Sequence, residues 1–174
     1  MLFALLYIAA TLAANYTATW FIHFPFFGQV SVATFIFGIT FTARDRVHST
    51  LGRRKVYGMI AIAAVLNLIV TVMGGVEWRI VAASLIAIVL AETADTEIYQ
   101  HFIDNTWGMR VLKSNSVSIP LDSLLFNLIA FAGVFPAAEV ASIIFGEIVF
   151  KAAVSAVTAF RPLVYLRSLS SARR

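Results

Sequence analysis

Apolar residues follow one another in six stretches, separated by shorter segments rich in polar or charged residues. The stretches lie at about 2–21, 27–43, 56–73, 78–99, 119–135 and 140–160. A helix needs about 20 mostly apolar residues to cross a bilayer, so each stretch predicts a transmembrane helix. The predicted fold class is therefore all-α, a polytopic membrane protein with a single six-helix domain over residues 1–174. Met1 leads into the first stretch without basic residues, so we expect a retained span rather than a cleaved signal peptide.

The composition supports this fold class. Hydrophobic residues make up 60% of the 174 positions and charged residues 13%, against about 45–50% and about 25% in average soluble domains. A soluble fold of this size could not bury so much apolar surface, which excludes a soluble enzyme or nucleic-acid-binding domain. The chain has no cysteine, no ATP-binding loop and three isolated histidines. We therefore expect no metal, no cofactor and no enzymatic activity.

Basic residues are distributed unevenly and predict the orientation. Five of the 13 Lys and Arg lie in 44–55, two in 100–116 and four in 161–174. Cytoplasmic loops carry the excess of Lys and Arg, so both termini are predicted to be cytoplasmic. The two exceptions are Arg79, at the outer end of the fourth stretch, and Lys151, inside the sixth.

Four polar residues at the end of the fourth stretch share one helix face: Glu92, Asp95, Thr96 and Tyr99. Glu97 points away from that face. The carboxylates of Glu92 and Asp95 lie inside the predicted membrane span. They persist there only if they are protonated, paired with a cation or bound to a ligand rich in hydrogen-bond donors. Alternatively the helix ends near residue 91, which leaves a segment at 80–91 that is too short to cross a membrane. The first interpretation predicts a functional site.

A polar segment leads into the fifth stretch and contains Asn115 and Ser118. Pro120 fits the first turn of a helix, with Ser118 as its N-cap. Asp122 then either complements the helix dipole or provides a ligand at the start of a buried helix. If the helix begins earlier, Asn115, Ser118 and Asp122 lie on one side of it.

Glu147 and Lys151 are spaced i, i+4 in the sixth stretch, with the acid first, as in a favourable ion pair. Lys151 lies near the middle of the predicted span and needs a partner there. The spacing is compatible with two interpretations, a structural ion pair and a functional site. Asp45, at the end of the second stretch, either balances the neighbouring Arg44 and Arg46 or binds a ligand.

The first stretch carries two stripes at four-residue spacing, one polar (Thr11, Asn15, Thr19) and one of small residues (Ala10, Ala14, Ala18). Small residues at this spacing allow another helix to approach closely, and ordinary helix packing explains both stripes.

The ordered set of polar strings resembles the VUT family of queuosine-precursor transporters. The strings are Asn15-Tyr16, Phe41 to Asp45 followed by Gly52-Arg53-Arg54, Glu92 to Gln100, Ser114 to Ser123, and Glu147, Lys151 and Arg161-Pro162. The resemblance covers nearly the whole chain in a consistent order. It implies a six-helix importer in the bacterial or archaeal plasma membrane that carries the deazaguanine bases preQ0 or preQ1 for tRNA modification.

The resemblance also implies a substrate site within the spans. A guanine-like edge presents two adjacent N–H donors, and one carboxylate can accept both. The candidate residues are Asn15, Phe41, Asp45, Glu92, Asp95, Tyr99, Asn115, Ser118, Asp122, Glu147 and Lys151. The expected partners are a small deazaguanine-type base and the lipid bilayer, without nucleic acid, and homo-oligomerisation is left open.

A second function is compatible with the same pattern. The substrate-binding S component of an energy-coupling-factor importer also has six spans. Its docking surface for the coupling module resembles the alanine stripe of the first stretch. A membrane scaffold without substrate is a third interpretation, in which the intramembrane acids have no functional role.

Overall fold

The computed structural model describes the backbone of residues 2–25 and 28–171, and the side chains of these segments up to residue 157. The described elements are α1 (Leu2–Tyr16), β1 (Phe21–Phe24), β2 (Gly28–Ser31), α2 (Val32–Leu51), α3 (Arg53–Met73), α4 (Trp78–His101), α5 (Trp107–Phe131) and α6 (Ala137–Ser171). The fold is helical, as predicted, and each of the six apolar stretches overlaps one helix.

The six helices pack as a closed ring. Around this ring α1 contacts α2, α2 contacts α6, α6 contacts α5, α5 contacts α4, α4 contacts α3, and α3 contacts α1. Successive helices run in opposite directions, because only short connections join them. We call the end that carries β1 and β2 the hairpin end, and the end where α2 passes into α3 the basic end.

Strands β1 and β2 pair as an antiparallel β-hairpin that the sequence did not predict, since the second span was placed at 27–43. Phe21 pairs with Ser31 and Phe24 with Gly28. Aromatic and β-branched residues favour strands, and Gly28 has a φ of +72°, which glycine adopts without strain. Ser31 then caps α2 by accepting a hydrogen bond from the Ala33 N–H at 3.2 Å.

The second helix extends beyond the predicted span, to Leu51. Gly52, with a φ of +79°, makes the one-residue turn between α2 and α3. Most of segment 44–55, which the sequence predicted to be a connection, is therefore helical. Arg44 consequently lies inside the bundle, where its side chain is fully buried.

The predicted helix start at Ser118 and Pro120 was wrong. Helix α5 begins at Trp107 and contains Pro120 within it. The polar segment before the proline forms a helix because Ser114, Asn115 and Ser118 face the buried interior. The alternative in which the helix extends back is the one that the structure adopts.

Two of the described helical segments, Arg53–Met73 and Ala137–Val157, are long and apolar enough by themselves to cross a membrane. Helix α1 is apolar but has only 15 residues. Helices α2, α4 and α5 carry charged residues near their middle, which lowers their hydropathy. Five of these charged side chains are buried inside the ring: Arg44, Asp45, Glu92, Asp95 and Asp122.

The alanine stripe of α1 packs within the chain. Ala10, Ala14 and Ala18 are all buried. Ala14 and Ala18 belong to the apolar cluster at the hairpin end, together with Ala83 and Ala87 of α4. The stripe thus serves helix packing inside the ring, as small residues at this spacing commonly do.

Arg79, one of the two exceptions in the charge distribution, binds the end of α5. Its Nη2 donates hydrogen bonds to the carbonyl oxygens of Ile129 at 3.3 Å and Ala132 at 2.8 Å. The last carbonyl groups of a helix lack partners within the helix, and a basic side chain there is favourable. Capping therefore explains a basic residue at the hairpin end.

Candidate functional site

Arg44 of α2 joins three carboxylates in the middle of the bundle. Its Nη1 lies 2.7 Å from Glu92 Oε2, and its Nη2 lies 2.7 Å from Asp95 Oδ2 and 3.2 Å from Asp45 Oδ1. All four side chains are buried. The planar guanidinium has five N–H donors, which allows one residue of α2 to bind two acids of α4 at once.

Polar groups of α5 complete this cluster. Arg44 Nη2 donates to Asn115 Oδ1 at 3.3 Å, and Ser118 Oγ donates to Asp95 Oδ1 at 2.6 Å. The Phe41 ring lies beneath the guanidinium, 5.1 Å from Arg44 Cζ to the ring centroid. We call these residues the Arg44 cluster: Phe41, Arg44, Asp45, Glu92, Asp95, Asn115 and Ser118.

Lys151 of α6 is the centre of a second buried cluster. Its Nζ lies 2.9 Å from Asp122 Oδ2, 2.9 Å from Glu147 Oε2 and 3.1 Å from Ser123 Oγ. Asn127 Nδ2 donates to the same Glu147 oxygen at 3.0 Å. We call these residues the Lys151 cluster: Asp122, Ser123, Asn127, Glu147 and Lys151.

A small cavity borders the Lys151 cluster. Asp122, Glu147 and Lys151 line it on one side. The other lining residues include Thr34, Phe37, Ser84 and Phe126. Its free volume is about 10 Å³, roughly the space of one water molecule. This cavity is too small for a heterocyclic ring, which enters it only if the surrounding helices separate. A larger cavity, of about 160 Å³, lies between α5 and α6 and is lined by Asn115 of the Arg44 cluster.

The structure brings nine of the eleven predicted site residues into these two clusters. Asn15 and Tyr99 lie outside both. Asn15 is buried, but its Nδ2 donates to the Thr11 carbonyl within its own helix at 3.1 Å. The Tyr99 ring stacks on His48 at 4.4 Å between centroids, towards the basic end.

The predicted face of α4 is confirmed. Glu92, Asp95, Thr96 and Tyr99 are buried. The Glu97 side chain is 49% exposed and pairs with Arg53 of α3 at 3.1 Å. The predicted pair of Glu147 and Lys151 also forms, and Lys151 has a second carboxylate partner in Asp122.

The main residue that sequence reasoning missed is Arg44. It was counted among the residues of a basic connection, so the acids of α4 were left without a cation. Helical spacing could have identified it, because residues at i, i+4, i+7 and i+11 share one face of a helix. The residues of α2 at this spacing are Phe37, Phe41, Arg44 and His48. Phe37 in turn lies 5.3 Å from the Lys151 ammonium, so this face of α2 contacts both clusters.

These features define a class of protein. A helical bundle with two described helices of membrane length, and with paired charged groups buried inside it, is typical of a membrane protein. The family model described as "Putative vitamin uptake transporter" matches residues 72–167, more than half of the chain. The chain belongs to this family, and it is a transporter rather than an enzyme. The family resemblance inferred from the polar strings is thereby confirmed.

The matched segment contains α4, α5 and most of α6, with every acid of the two clusters except Asp45. Arg44 lies outside it, although Arg44 binds the acids of α4. No curated protein and no solved structure matched the chain.

Proposed function

We propose that this transporter imports queuosine precursors, the 7-deazaguanine bases preQ0 and preQ1, across the plasma membrane of a bacterium or archaeon for tRNA modification. In this proposal the six helices form one domain over residues 1–174, and each crosses the membrane. The basic end faces the cytoplasm together with both termini, because Lys and Arg are concentrated there.

One observation carries the proposal: carboxylates, amides and hydroxyls from α2, α4, α5 and α6 meet inside the bundle. A guanine-like base offers adjacent N–H donors and ring acceptors, which such a set of groups can bind. Arg44 contacts Glu92 through Oε2, and Lys151 contacts Asp122 through Oδ2. Each contact uses one carboxylate oxygen, so the cations fix the orientation of the acids.

The proposed site consists of the two clusters. Glu92, Asp95 and Asp122 are the candidates for accepting the paired N–H donors of the base. Asn115 and Ser118 are the candidates for binding its acceptors, in exchange for the partners that they have in the closed bundle. Phe41 offers an aromatic surface close to the acids. Asn15 and Tyr99 are also retained as proposed site residues, although the hydrogen bond of Asn15 and the ring contact of Tyr99 are made with residues outside the clusters.

The experiment is a rescue of queuosine in tRNA. Cells that cannot make the precursor are given this chain and external preQ0 or preQ1, and queuosine in their tRNA is measured. We expect queuosine to appear with the intact chain and to be lost with Asp95→Asn or Asp122→Asn at normal membrane levels. Glu97→Gln is the matched control, since it changes an exposed acid of the same helix as Asp95 and should leave uptake unchanged.

Two results contradict the proposal. If neither base restores queuosine at confirmed expression, the substrate is a different molecule. If both Asp variants take up the bases as the intact chain does, the two clusters are not the site.

The alternative, an S component of an energy-coupling-factor importer, rested on the alanine stripe of α1. That stripe is buried within the chain, which removes the surface expected to dock on a coupling module. The rescue decides between the two functions when the host lacks the coupling machinery. A self-sufficient transporter still imports the base there, whereas an S component does not.

A further inference from the structure

The charges buried among the described residues do not balance. The acids are Asp45, Glu92, Asp95, Asp122 and Glu147, and the cations facing them are Arg44 and Lys151. His48, also buried, lies at the basic end against Gln100 and Tyr99. Uncompensated charge is costly in a low-dielectric interior, so an excess of acids favours the uptake of positive charge from elsewhere.

The Lys151 cluster is arranged as a site for ammonium groups. The Lys151 ammonium has three N–H donors, and two carboxylates and the Ser123 hydroxyl accept them. The Phe37 ring lies 5.3 Å away, within the range of a cation–π contact. Asp122 and Glu147 each bind Lys151 through a single oxygen, so the cluster has two carboxylates for one cation.

The cavity beside this cluster has an unsatisfied polar group. The Thr34 side chain is fully buried, and its Oγ1 has no hydrogen-bond partner among the residues that the structure describes. Thr34 lines the cavity together with Asp122 and Glu147. A buried hydroxyl without a partner is unfavourable unless a water molecule or a ligand group satisfies it. The free volume of about 10 Å³ matches an ammonium group, which is close to water in size.

We infer that the transporter selects a cationic substrate, a planar heterocycle carrying a primary ammonium group. The ammonium binds in the cavity between Asp122, Glu147 and Thr34, next to the Lys151 ammonium. A second cation there balances the two carboxylates of the cluster and provides the donor that Thr34 lacks. This inference rests on the proposed function and names which of the two precursor types the site prefers.

The two precursors form a matched pair for the test, because they share the deazaguanine ring. The 7-aminomethyl base carries a primary amine that is protonated at pH 7, and the 7-cyano base is neutral. Equilibrium binding of each base to the purified full-length chain is measured at pH 7. We expect the aminomethyl base to bind at least about tenfold more tightly, because loss of one partner from a buried charge pair is costly.

The relative affinity of the two bases decides whether the inference holds. A tenfold or larger advantage of the aminomethyl base supports the inference. A smaller advantage, or tighter binding of the cyano base, overturns the inference but not the proposed function. In that case protons bound to the buried acids, rather than the substrate, balance their charge. If neither base binds to chain that remains folded, the proposed function fails as well.

Thr34→Val tests the position of the ammonium group. The substitution keeps the shape of the side chain and removes its hydroxyl. We expect it to weaken binding of the aminomethyl base several-fold and to leave the cyano base unchanged. Thr40→Val is the matched control, since Thr40 is equally buried on the same helix but its hydroxyl donates to the Phe37 carbonyl at 2.8 Å. Equal effects of Thr34→Val on both bases would place the ammonium elsewhere and overturn this assignment.

Discussion

Arg44 is the residue on which the organisation of the interior depends most. It is a fully buried side chain that joins α2 to two acids of α4 and to an amide of α5. A lysine could not replace it, because an ammonium is a compact charge without the fork that reaches several acceptors at once. The acids of α4 are therefore held at fixed positions by a residue of a different helix.

Replacing Arg44 with methionine leaves three buried carboxylates without their cation. We expect the free energy of unfolding to fall by about 3–5 kcal/mol, as for other buried pairs that lose one partner. Thermal unfolding of the purified chain measures this loss. The matched control is Arg53→Met, because Arg53 and Glu97 form an ion pair with both side chains about half exposed, worth about 0–1 kcal/mol. Similar losses in both variants would contradict a special role of Arg44.

The Lys151 cluster yields a prediction about coupling between two residues. Lys151→Met should destabilise the chain by about 3–5 kcal/mol, because Asp122 and Glu147 then repel each other without compensation. Adding Asp122→Asn to the same chain removes one of these charges and should recover part of the stability. Unfolding of the single and double variants gives the coupling energy. Additive losses would show that the two residues do not stabilise each other.

At the scale of helices, the approach of α2 to α6 depends on Gly38. A Cβ atom at this position would overlap the side chain of Val154. This close contact brings Phe37, on α2, near to Lys151, on α6. The glycine is required by the packing of two helices rather than by the conformation of its own backbone.

Gly38→Ala should lower the free energy of unfolding by about 1–3 kcal/mol through overpacking. The control is Gly58→Ala in α3, where a Cβ would meet nothing within 4 Å. There alanine should be neutral or should stabilise by about 0.5–1 kcal/mol, through its better helix propensity. Denaturation of both variants under one condition provides the comparison. An equal response to the two substitutions would show that α2 and α6 are not closely packed at Gly38.

At the scale of the whole molecule, the ring of helices is closed around its charged groups. The cavity of about 10 Å³ beside the Lys151 cluster cannot hold a heterocycle, so a ring reaches this cluster only if helices of the bundle separate. The apolar cluster at the hairpin end and another that joins α1, α2, α3 and α4 resist this separation.

Opening can be measured with a single cysteine, because the chain has none of its own. We expect Thr34→Cys to react with a water-soluble thiol reagent at least about tenfold more slowly than Ser49→Cys, since position 34 is buried and position 49 exposed. The precursor bases should change the rate at position 34 alone. Equal rates at both positions would contradict a closed interior, and a rate at position 34 that no base affects would contradict its place beside the site.

Much of the fold could be predicted because its signals are local. Six apolar stretches gave six helices, and the spacing of Glu92, Asp95 and Tyr99 gave the buried face of α4. The ends of helices were less predictable. Strand β2 packs against α6, and the part of α5 before Pro120 binds Arg44 and Asp95. Both features therefore depend on contacts with distant residues, which hydropathy alone does not contain.

The sequence by itself determined a helical membrane transporter with acids at depth, because apolar length and helical spacing are properties of neighbouring residues. Only the tertiary structure decided which cation each acid receives. Arg44 meets Glu92 from 48 positions away, and Lys151 meets Asp122 from 29 positions away. The physical reason is that a buried charge must be compensated in space, and the partner that packing brings to it is independent of distance along the chain.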